Sequence, residues 1–389
     1  MAPVEPGAAL GFFGGGQLGR MTALAARAMG YDVRVLDPDP DCPARPVASH
    51  TITAALDDAA AAVELARGCG ALTLEIERVS PACLEAASEF APVRPGPGPI
   101  HVIQDRARQK TWLADHGFPV GPFRVARAAH ECEAAVRALG PSIVKTSTGG
   151  YDGRGQARVE RAEDAAAAWA ALGAPACVVE QRLALDYEIS LLVARRPGGA
   201  IAAYPPALNH HDAGVLTWSV LPAPVPTAVA VEARAVAVGI AEELGLEGLL
   251  AVELFVVNGA VLVNELAPRT HNSFHATERA CLTSQFEQAV RAACDLPLGG
   301  VDVVRPGAIV NLLGDLWLGP TPPDAAAALA GGVSRLHLYG KRAARPGRKM
   351  GHVSTVGATV AEALQLAIEA RERFAPGIAV ASRVPEWVR

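Results

Sequence analysis

The sequence lacks the features that mark membrane, secreted and nucleic-acid-binding proteins. No uncharged stretch reaches the roughly 20 residues that a membrane-spanning helix needs, and residues 1–10 carry no signal-peptide pattern. The net charge of −5 argues against nucleic acid or an acidic membrane as a partner. The seven cysteines form no Cys-x-x-Cys pair, so neither a disulfide framework nor a zinc knuckle is indicated, and a reducing cytoplasm is favoured.

The sequence is long enough, and apolar enough, to form two or three domains. It contains 389 residues, half of them hydrophobic, which excludes global disorder. Residues 92–99 hold four prolines and two glycines, and this composition predicts a domain boundary.

The first glycine loop, residues 14–19, has the sequence Gly-Gly-Gly-Gln-Leu-Gly. A buried strand over residues 8–13, a helix over 21–29, a strand over 31–36 and Asp37 surround it in a βαβ pattern. Taken alone, this pattern suggests an NAD-dependent oxidoreductase. A glycine turn at a helix N-terminus can hold any phosphate, however, so the nature of the ligand stays open.

Two pairs of charged residues follow the first βαβ unit. Glu75 and Glu77 end a strand predicted over residues 72–77, and such strand ends face the ligand crevice of a parallel sheet. We expect one of the two carboxylates to be merely solvated. Arg106 and Lys110 share one face of a helix predicted over residues 100–116, where solvent exposure is favoured over a phosphate contact.

The second glycine loop, residues 149–156, follows a β-prone run that delivers Lys145. Its four glycines let bare backbone lie close to an oxyanion, and Lys145 can hold a phosphate as a point charge. Asp152 and Arg154 add polar chemistry, but the spacing is not that of a Walker loop. A mobile lid over nucleotide phosphates and an ordinary hairpin turn both remain open.

Three further strands place polar residues at their ends or inside them. A strand over residues 177–180 leads to Gln181, as either an adenine-binding hinge or an ordinary strand end would. Glu188 lies just inside the next strand, where a carboxylate needs a partner such as a ribose or a metal. The cluster at residues 209–212 contains His211; zinc is disfavoured there, and a substrate contact or a loop cap is favoured.

A hairpin is predicted over residues 249–265, where two hydrophobic strands flank Asn-Gly. A strict two-residue turn pairs Glu253 with Asn264, whereas a three-residue loop puts Glu253 and Glu265 on one face. Two carboxylates buried side by side repel each other unless a cation lies between them. Magnesium carrying nucleotide phosphates suits such oxygen ligands, and we favour it over two exposed glutamates.

Polar groups also follow the hairpin and recur near the C-terminus. Residues 266–275 form a predicted loop with Arg269 available for an oxyanion, and with His271, Asn272, Ser273 and His275 beside it. A basic cluster in the β-rich tail is either an anion site or a solvated hairpin tip, and it consists of Lys341, Arg345, Arg348 and Lys349.

Five motifs occur in an order that resembles one enzyme family. They are Gly-Gly-Gly-Gln-Leu-Gly-Arg at 14–20, Glu-Ile-Glu at 75–77, Gly-Gly-Tyr-Asp-Gly-Arg-Gly-Gln at 149–156, Asn-Glu-Leu-Ala-Pro-Arg with His-Asn-Ser at 264–273, and Arg-Pro-Gly-Arg-Lys-x-Gly-His at 345–352. From about residue 8 onward the chain closely resembles the N5-carboxyaminoimidazole ribonucleotide synthetases, ATP-grasp ligases of purine biosynthesis.

The resemblance implies an α/β and α+β multidomain protein with an ATP-grasp fold. Residues 1–99 would form a Rossmann-like pre-ATP-grasp domain, residues 100–296 the ATP-grasp domain with a lid around 142–205, and residues 297–389 a small β-rich domain. The implied reaction carboxylates 5-aminoimidazole ribonucleotide with bicarbonate and ATP, through carboxyphosphate, to give ADP and phosphate. The implied cofactors are ATP and Mg²⁺, and the implied assembly is a homodimer.

The resemblance also implies a role for individual residues. ATP would contact Arg106, Lys145, Gly150, Tyr151, Asp152, Gly153, Arg154, Gly155, Gln156, Glu180, Gln181, Leu183, Glu188, His211, Asn264 and Glu265. Magnesium would be held by Glu253 and Glu265. The ribonucleotide would contact Gln17, Leu18, Glu75, Tyr151, Asp152, Arg269, His271, Asn272, Ser273, Lys341 and Arg348. In catalysis, Lys145 would neutralise phosphoryl charge, Arg269 would hold carboxyphosphate and Asp152 would orient or deprotonate the amine.

The chain departs from the family pattern at Ser147-Thr148, Ala213 and Phe274. A formate-dependent glycinamide ribonucleotide transformylase is the nearest alternative. A Rossmann oxidoreductase and a nucleotide-binding regulatory module without turnover are alternatives from other classes.

Overall fold

The computed structural model describes residues 2–150 and 153–377, and its N-terminal part is a parallel sheet. The strands run in the order β3-β2-β1-β4, and the first glycine loop joins β1 to α1. Apolar side chains of β1, such as Leu10 and Phe12, are fully buried between the sheet and its helices. The elements are β1 (Ala9–Phe13), α1 (Gln17–Ala28), β2 (Asp32–Asp37), β3 (His50–Thr53), α2 (Ala59–Arg67), β4 (Ala71–Leu74) and α3 (Pro81–Ser88).

The single helix predicted over residues 100–116 is wrong, because the structure has two helices there. They are α4 (Pro97–Ile103) and α5 (Arg106–Asp115). Asp105 interrupts the run: its carboxylate accepts a hydrogen bond from the Arg108 N–H at 2.8 Å and so caps α5. Ser147 donates to the same carboxylate at 2.7 Å, and this bond ties the start of α5 to the strand that carries Lys145.

A small antiparallel sheet in the order β5-β8-β6-β7 comes next, with two helices packed on it. The second glycine loop connects β6 to β7, and Lys145 lies near the end of β6. The elements are β5 (Phe123–Ala126), α6 (Ala129–Leu139), β6 (Ser142–Thr146), β7 (Gln156–Val159), α7 (Ala165–Leu172) and β8 (Cys177–Gln181).

The remaining strands form one large sheet in the order β14-β13-β9-β11-β12-β15-β17-β16, with β10 paired to β9. Its elements are β9 (Tyr187–Arg195), β10 (Ile201–Ala203), β11 (Ala207–Asp212), β12 (Val215–Leu221), α8 (Thr227–Glu243), β13 (Gly248–Val257), β14 (Ala260–Ala267), α9 (Thr277–Ala280), α10 (Gln285–Ala293), β15 (Gly307–Leu313), α11 (Ala325–Leu329), β16 (Arg335–Leu338), β17 (Lys349–Val356) and α12 (Val360–Phe374). Short 3₁₀ turns occur at Arg45–Val47, Ala162–Asp164, Asn272–Phe274 and Gly314–Trp317.

The C-terminal strands continue the sheet of the middle segment. Strand β15 pairs with β12, and Trp218 lies opposite Val310. The largest apolar core lies against this sheet and includes buried residues of α8 and α12. The C-terminal segment is therefore held in register with the strands that carry His211 and Glu188, while the predicted domain boundaries stay predictions.

The β13–β14 hairpin combines features of both registers that the sequence allowed. Its turn has two residues, because Val257 pairs with Ala260, and both Asn258 and Gly259 have positive φ. A bulge then shifts the register between Glu253 and Leu254, so that Glu253 lies opposite Glu265 and Asn264 is the extra residue. The carboxylate pairing thus arises from a bulge, and the three-residue loop proposed to produce it is wrong.

The structure bears on two expectations from the sequence, one about the cysteines and one about membrane-spanning helices. All seven cysteines are free thiols. Within residues 2–150 and 153–377, no helix has both the length and the apolar character needed to cross a membrane.

Candidate active site

Lys145 lies where the small sheet meets the β13–β14 hairpin, and we call this junction the cleft. Its ammonium donates to Glu180 Oε2 at 2.8 Å and to Asn264 Oδ1 at 3.4 Å, so strands β6, β8 and β14 meet at one point. Burial alone would raise the pKa of the Glu180 carboxyl, but Lys145, Lys110 and Arg106 hold it below its usual value. Glu180 therefore stays ionised inside a ring of cations.

Lys110 belongs to this ring, and its predicted solvent exposure is wrong. Only 2% of its surface is accessible. Its ammonium donates to the Val263 carbonyl at 3.0 Å and lies 3.9 Å from Glu180 Oε1. Burial lowers the pKa of Lys110 to about 8, and the charge of Glu180 opposes that shift. Its four-residue spacing from Arg106 was the available sequence signal, but spacing alone does not show which face of a helix is buried.

Four basic side chains surround the carboxylate pair of the hairpin. Arg106 donates to Glu265 Oε2 at 2.9 Å, and His271 Nε2 lies 3.1 Å from Glu253 Oε1. Burial would raise the pKa of Glu253, but His271, His211 and Lys349 hold it well below its usual value. Asn264 links the pair to Lys145, because its Nδ2 donates to Glu253 Oε2 at 3.2 Å.

The donor set at the hairpin fits magnesium better than a soft metal. Two opposed carboxylates and an amide supply only oxygen ligands, and Mg²⁺ completes its shell with phosphates and water. No group of three or more His, Cys, Asp or Glu side chains in the described part of the chain could hold a metal by itself. The polar cluster at residues 209–212 accordingly gains no metal assignment.

Glu188 and His211 meet beside the hairpin, on neighbouring strands β9 and β11. His211 Nδ1 lies 3.0 Å from Glu188 Oε2. Burial would lower the pKa of His211, but its bond to Glu188 raises it overall. A ribose or a metal was the predicted partner of Glu188, and in the structure its carboxylate is paired with a histidine of the protein. The pair borders the cleft, because His211 also acts on Glu253.

The carboxylates after β4 approach Arg269, and the expectation that one of them is solvated is wrong. Arg269 Nε lies 2.8 Å from Glu77 Oε1. Glu75 Oε2 accepts the Gly19 N–H at 2.6 Å, at the start of α1. Burial raises the pKa of Glu75, opposed by backbone N–H groups of Gly19 and Gly16. Gln17 and Leu18 open the same helix and therefore lie beside Glu75.

In the first glycine loop, the N–H groups of Gly15 and Gly19 already donate to side chains of the protein. Gly15 N–H donates to Asp37 Oδ2 at 2.6 Å, in addition to the bond from Gly19 to Glu75. A Cβ on Gly16 would lie 2.2 Å from Glu75 Oε1. A dinucleotide pyrophosphate would have to occupy the place of these carboxylates, which explains why the βαβ pattern does not make an NAD site.

The segment after β14 presents polar groups to the same cleft. His271 Nδ1 lies 2.9 Å from Ser273 Oγ, which also contacts Ser190 Oγ at 2.7 Å. Asn272 is 6% exposed, and neither the nitrogen nor the oxygen of its side-chain amide has a hydrogen-bond partner among the described residues. Asn272 therefore has a donor and an acceptor available for a ligand. Phe274 is fully buried and packs against Tyr204.

The second glycine loop lies against the β11–β12 turn. Gly149, Gly153 and Gly155 all have positive φ, and a Cβ on Gly153 would lie 2.9 Å from the Ala213 carbonyl. Tyr151 and Asp152, predicted to contact both substrates, lie outside the described residues. Gly150 is partly buried, and Arg154 and Gln156 are exposed.

Two of the residues predicted near the adenine have partners within the small sheet. Gln181 Nε2 donates to the Leu139 carbonyl at 3.1 Å. Leu183 lies against Gly121, where an added Cβ would be 3.2 Å from its Cδ1. Both residues follow Glu180 along the chain, and their predicted contact with ATP stays a prediction.

The C-terminal basic cluster includes Lys349, for which the sequence predicted no specific role. Lys341 donates to the Lys349 carbonyl at 2.7 Å, and Arg348 donates to the Ala343 carbonyl at 2.7 Å. The charge of Lys349 acts on Glu253, His211 and His275, so the start of β17 lies close to the hairpin carboxylates. Its position next to Arg348 was the only sequence signal.

Comparisons with known proteins point to one family along most of the chain. Residues 8–104 match the ribonucleotide synthetase preATP-grasp domain, residues 111–286 the ATP-grasp domain, and residues 307–366 the phosphoribosylaminoimidazole carboxylase C-terminal domain. The N5-carboxyaminoimidazole ribonucleotide synthase of Bacillus subtilis is 39% identical over 354 residues, which cover 90% of this chain and 92% of that protein.

Solved structures agree with the sequence relatives. An ADP complex of an N5-carboxyaminoimidazole ribonucleotide synthetase has a TM-score of 0.89 and 37% identity, with 95% of this chain and 98% of the other covered. The Aspergillus clavatus synthase, in complex with ADP and 5-aminoimidazole ribonucleotide, has a TM-score of 0.85 and 28% identity, with 94% and 98% covered.

Proposed function

The chain belongs to the N5-carboxyaminoimidazole ribonucleotide synthase family, and from this premise we propose how its residues divide the reaction between them. The enzyme is an ATP-grasp ligase that carboxylates 5-aminoimidazole ribonucleotide with bicarbonate in purine biosynthesis, while ATP becomes ADP and phosphate. The observation that carries the residue assignments is the meeting of Lys145, Glu180 and Asn264, which brings three strands to one cleft.

The nucleotide phosphates would lie between the second glycine loop and the carboxylate hairpin. Lys145 and Arg106 supply positive charge, and their present partners Glu180 and Glu265 keep them extended into the cleft. Magnesium held by Glu253 and Glu265 would add Lewis-acid charge at the transferring phosphoryl group. These cations would act where negative charge develops, and Lys145 and Arg106 would need little reorganisation because Glu180 and Glu265 already hold them.

Bicarbonate is a poor electrophile, so ATP must first convert it to carboxyphosphate. We propose that Arg269 holds that anion. Its guanidinium is fixed by Glu77, next to the part of the site proposed for the ribonucleotide. Carboxyphosphate, or CO₂ released from it, escapes quickly in water. Closure of the second glycine loop would therefore belong to the chemistry, since it excludes water from the cleft.

The ribonucleotide would span from Glu75 and the start of α1 to the C-terminal basic cluster. Asn272, with its two unpartnered amide atoms, is placed to recognise a polar edge of the substrate. Lys341 and Arg348 would hold the 5′-phosphate. Asp152 is proposed to orient or deprotonate the exocyclic amine, and Tyr151 to lie beside it.

An ADP-release assay tests the proposal directly. We expect ADP formation that requires both bicarbonate and 5-aminoimidazole ribonucleotide. A transformylase would instead respond to formate and glycinamide ribonucleotide. ADP formation with the second pair and none with the first would overturn the assignment of substrates.

We further propose a cytoplasmic homodimer. The seven free thiols suit a reducing compartment, and the dimer rests on the family resemblance alone. Sedimentation of the purified protein would test the assembly: a single species of monomer mass at micromolar concentration would contradict the dimer.

A further inference from the structure

Gln285, the first residue of α10, is completely buried and bonded to the loop that carries His271. Its Oε1 accepts the His271 N–H at 2.8 Å, and its Nε2 donates to the His271 carbonyl at 2.9 Å. The same Nε2 lies 2.9 Å from His275 Nδ1. One side chain therefore satisfies both backbone groups of His271 and one ring nitrogen of His275.

These contacts determine the orientation of the amide and the tautomer of His275. A backbone N–H can only donate and a carbonyl can only accept, so the oxygen of Gln285 must face the His271 N–H. The NH₂ group then faces His275 Nδ1, which must be an acceptor. His275 consequently carries its proton on Nε2, and its burial, which lowers its pKa well below the usual value, agrees with a neutral ring.

The contacts continue from His275 to the C-terminal basic cluster. The His275 ring stacks on His352 with centroids 4.6 Å apart. His352 Nδ1 lies 2.8 Å from the Tyr339 hydroxyl, and the Lys341 ammonium lies 5.6 Å from the centre of the Tyr339 ring. A continuous buried path thus joins the His271 backbone to the residue proposed to hold the 5′-phosphate.

We propose that Gln285 is a positioning residue for the ribonucleotide end of the site. It holds the His271 backbone so that the His271 ring reaches Glu253 and Ser273, and it holds His275 against His352. The inference rests on the proposed function, because the ribonucleotide contacts of His271 and Lys341 belong to that proposal. Gln285 contacts neither Lys145 nor Glu180, and it reaches the proposed metal ligand Glu253 only through the His271 ring.

The chain offers a matched control three residues along the same helix. Gln288 is also completely buried, and it makes the same two bonds to a backbone: its Oε1 accepts the Gly299 N–H at 2.8 Å, and its Nε2 donates to the Gly299 carbonyl at 3.0 Å. Gly299 supplies none of the proposed substrate contacts. In Q285E and Q288E alike, one carboxylate oxygen would face a carbonyl that has lost its donor.

The experiment compares steady-state kinetics of the two variants with those of the unmodified enzyme. For Q285E we expect kcat/KM for 5-aminoimidazole ribonucleotide to fall about 10- to 100-fold, while KM for ATP stays within about twofold. For Q288E we expect both parameters to stay within about twofold, although the two variants should lose similar thermal stability.

Equal kinetic effects in Q285E and Q288E would overturn the positioning role, as would an equal loss for both substrates in Q285E. If Q285E does not fold, Q285N replaces it, because the shorter amide loses the bonds without adding a charge; unchanged ribonucleotide kinetics in Q285N would then refute the inference. Failure of the unmodified enzyme to form ADP with bicarbonate and the ribonucleotide would refute the proposed function instead, and so the two failures are distinguishable.

Discussion

In the first glycine loop, backbone N–H groups donate to carboxylates. The second glycine loop follows strand β6, whose Lys145 belongs to a cluster of cations. In the first loop, Asp37 and Glu75 accept N–H groups of Gly15 and Gly19, and side chains fill the space around the glycines. In the second loop, Gly149 has positive φ and open space around it. Glycine permits close packing in both loops, as at Gly16 and Gly153, whereas at Gly149 only the backbone conformation requires it.

This difference indicates that a glycine-rich loop predicts a phosphate site only when its backbone N–H groups are free to donate and cationic side chains lie nearby. In the proposed function, the first loop would belong to the ribonucleotide end through Glu75. The second loop would border the nucleotide end, where Lys145, Lys110 and Arg106 surround Glu180. The variants below test this division.

The largest effect is expected from Glu265→Gln. Loss of one hairpin carboxylate removes a proposed metal ligand and the partner of Arg106, so ADP formation should fall about 1,000-fold. The matched control is Asp37→Asn in the first loop, which should change KM for ATP by no more than about twofold. Normal turnover in E265Q together with weakened ATP binding in D37N would move the nucleotide to the first loop.

Lys341→Ala should affect the ribonucleotide end alone. Loss of a charge-assisted bond to the 5′-phosphate should raise KM for the ribonucleotide about 10- to 100-fold, and ADP affinity measured by calorimetry should hardly change. The neighbouring Arg342 has a side chain that is 74% exposed and paired with Asp41, so Arg342→Ala serves as the control. An equal loss for both ligands in K341A would place Lys341 elsewhere.

Gly14→Ala and Gly149→Ala separate packing from backbone strain. Both glycines have positive φ, at +93° and +78°, but only at Gly14 would a Cβ meet a close neighbour, Glu75 Cγ at 2.5 Å. Left-handed strain of about 1–2 kcal/mol applies to both, and overpacking adds about 1–3 kcal/mol in the first loop. Urea midpoints should therefore fall further in G14A, and equal shifts would contradict the packing difference.

The smallest effect concerns the protonation of Lys110. Its pKa of about 8 in the free protein should rise when polyphosphate binds nearby, because an anion favours the charged ammonium. ADP binding should then take up a fraction of a proton above pH 8, and ADP affinity should fall as pH rises through that value. Calorimetry in two buffers of different ionisation enthalpy measures the uptake.

Lys110→Met is the variant that tests this source of protons. It should abolish the uptake, since methionine has similar length and does not titrate. Persistent uptake in K110M would assign the proton to another group, such as His211 beside Glu188.

Much of the fold was predictable because local patterns already carry it. The βαβ unit around the first glycine loop, the Asn258-Gly259 turn and the strand that delivers Lys145 follow from hydrophobic periodicity and turn chemistry. The motifs at residues 149–156, 264–273 and 345–352 identified the family, which the comparisons confirm. The assignment of substrates to individual residues stays a prediction.

Other features could not be predicted, because they depend on which distant groups meet. Asp105 divides a helical run by accepting from both Arg108 and Ser147, and the second of these bonds crosses between two elements. The bulge at Asn264 depends on pairing along the whole hairpin. Nothing near Lys110 or Gln285 in the sequence reveals that both are buried.

Residue types at fixed spacing were enough to identify the family, the first βαβ unit, the β13–β14 hairpin, and the carboxylates and cations available for chemistry. The folded structure was needed to show that Glu75 and Asp37 fill the first glycine loop and that Gln285 holds the His271 backbone. Hydrogen-bond donors are claimed by whichever acceptor the packed chain brings within about 3 Å, and that depends on contacts between residues far apart in the chain.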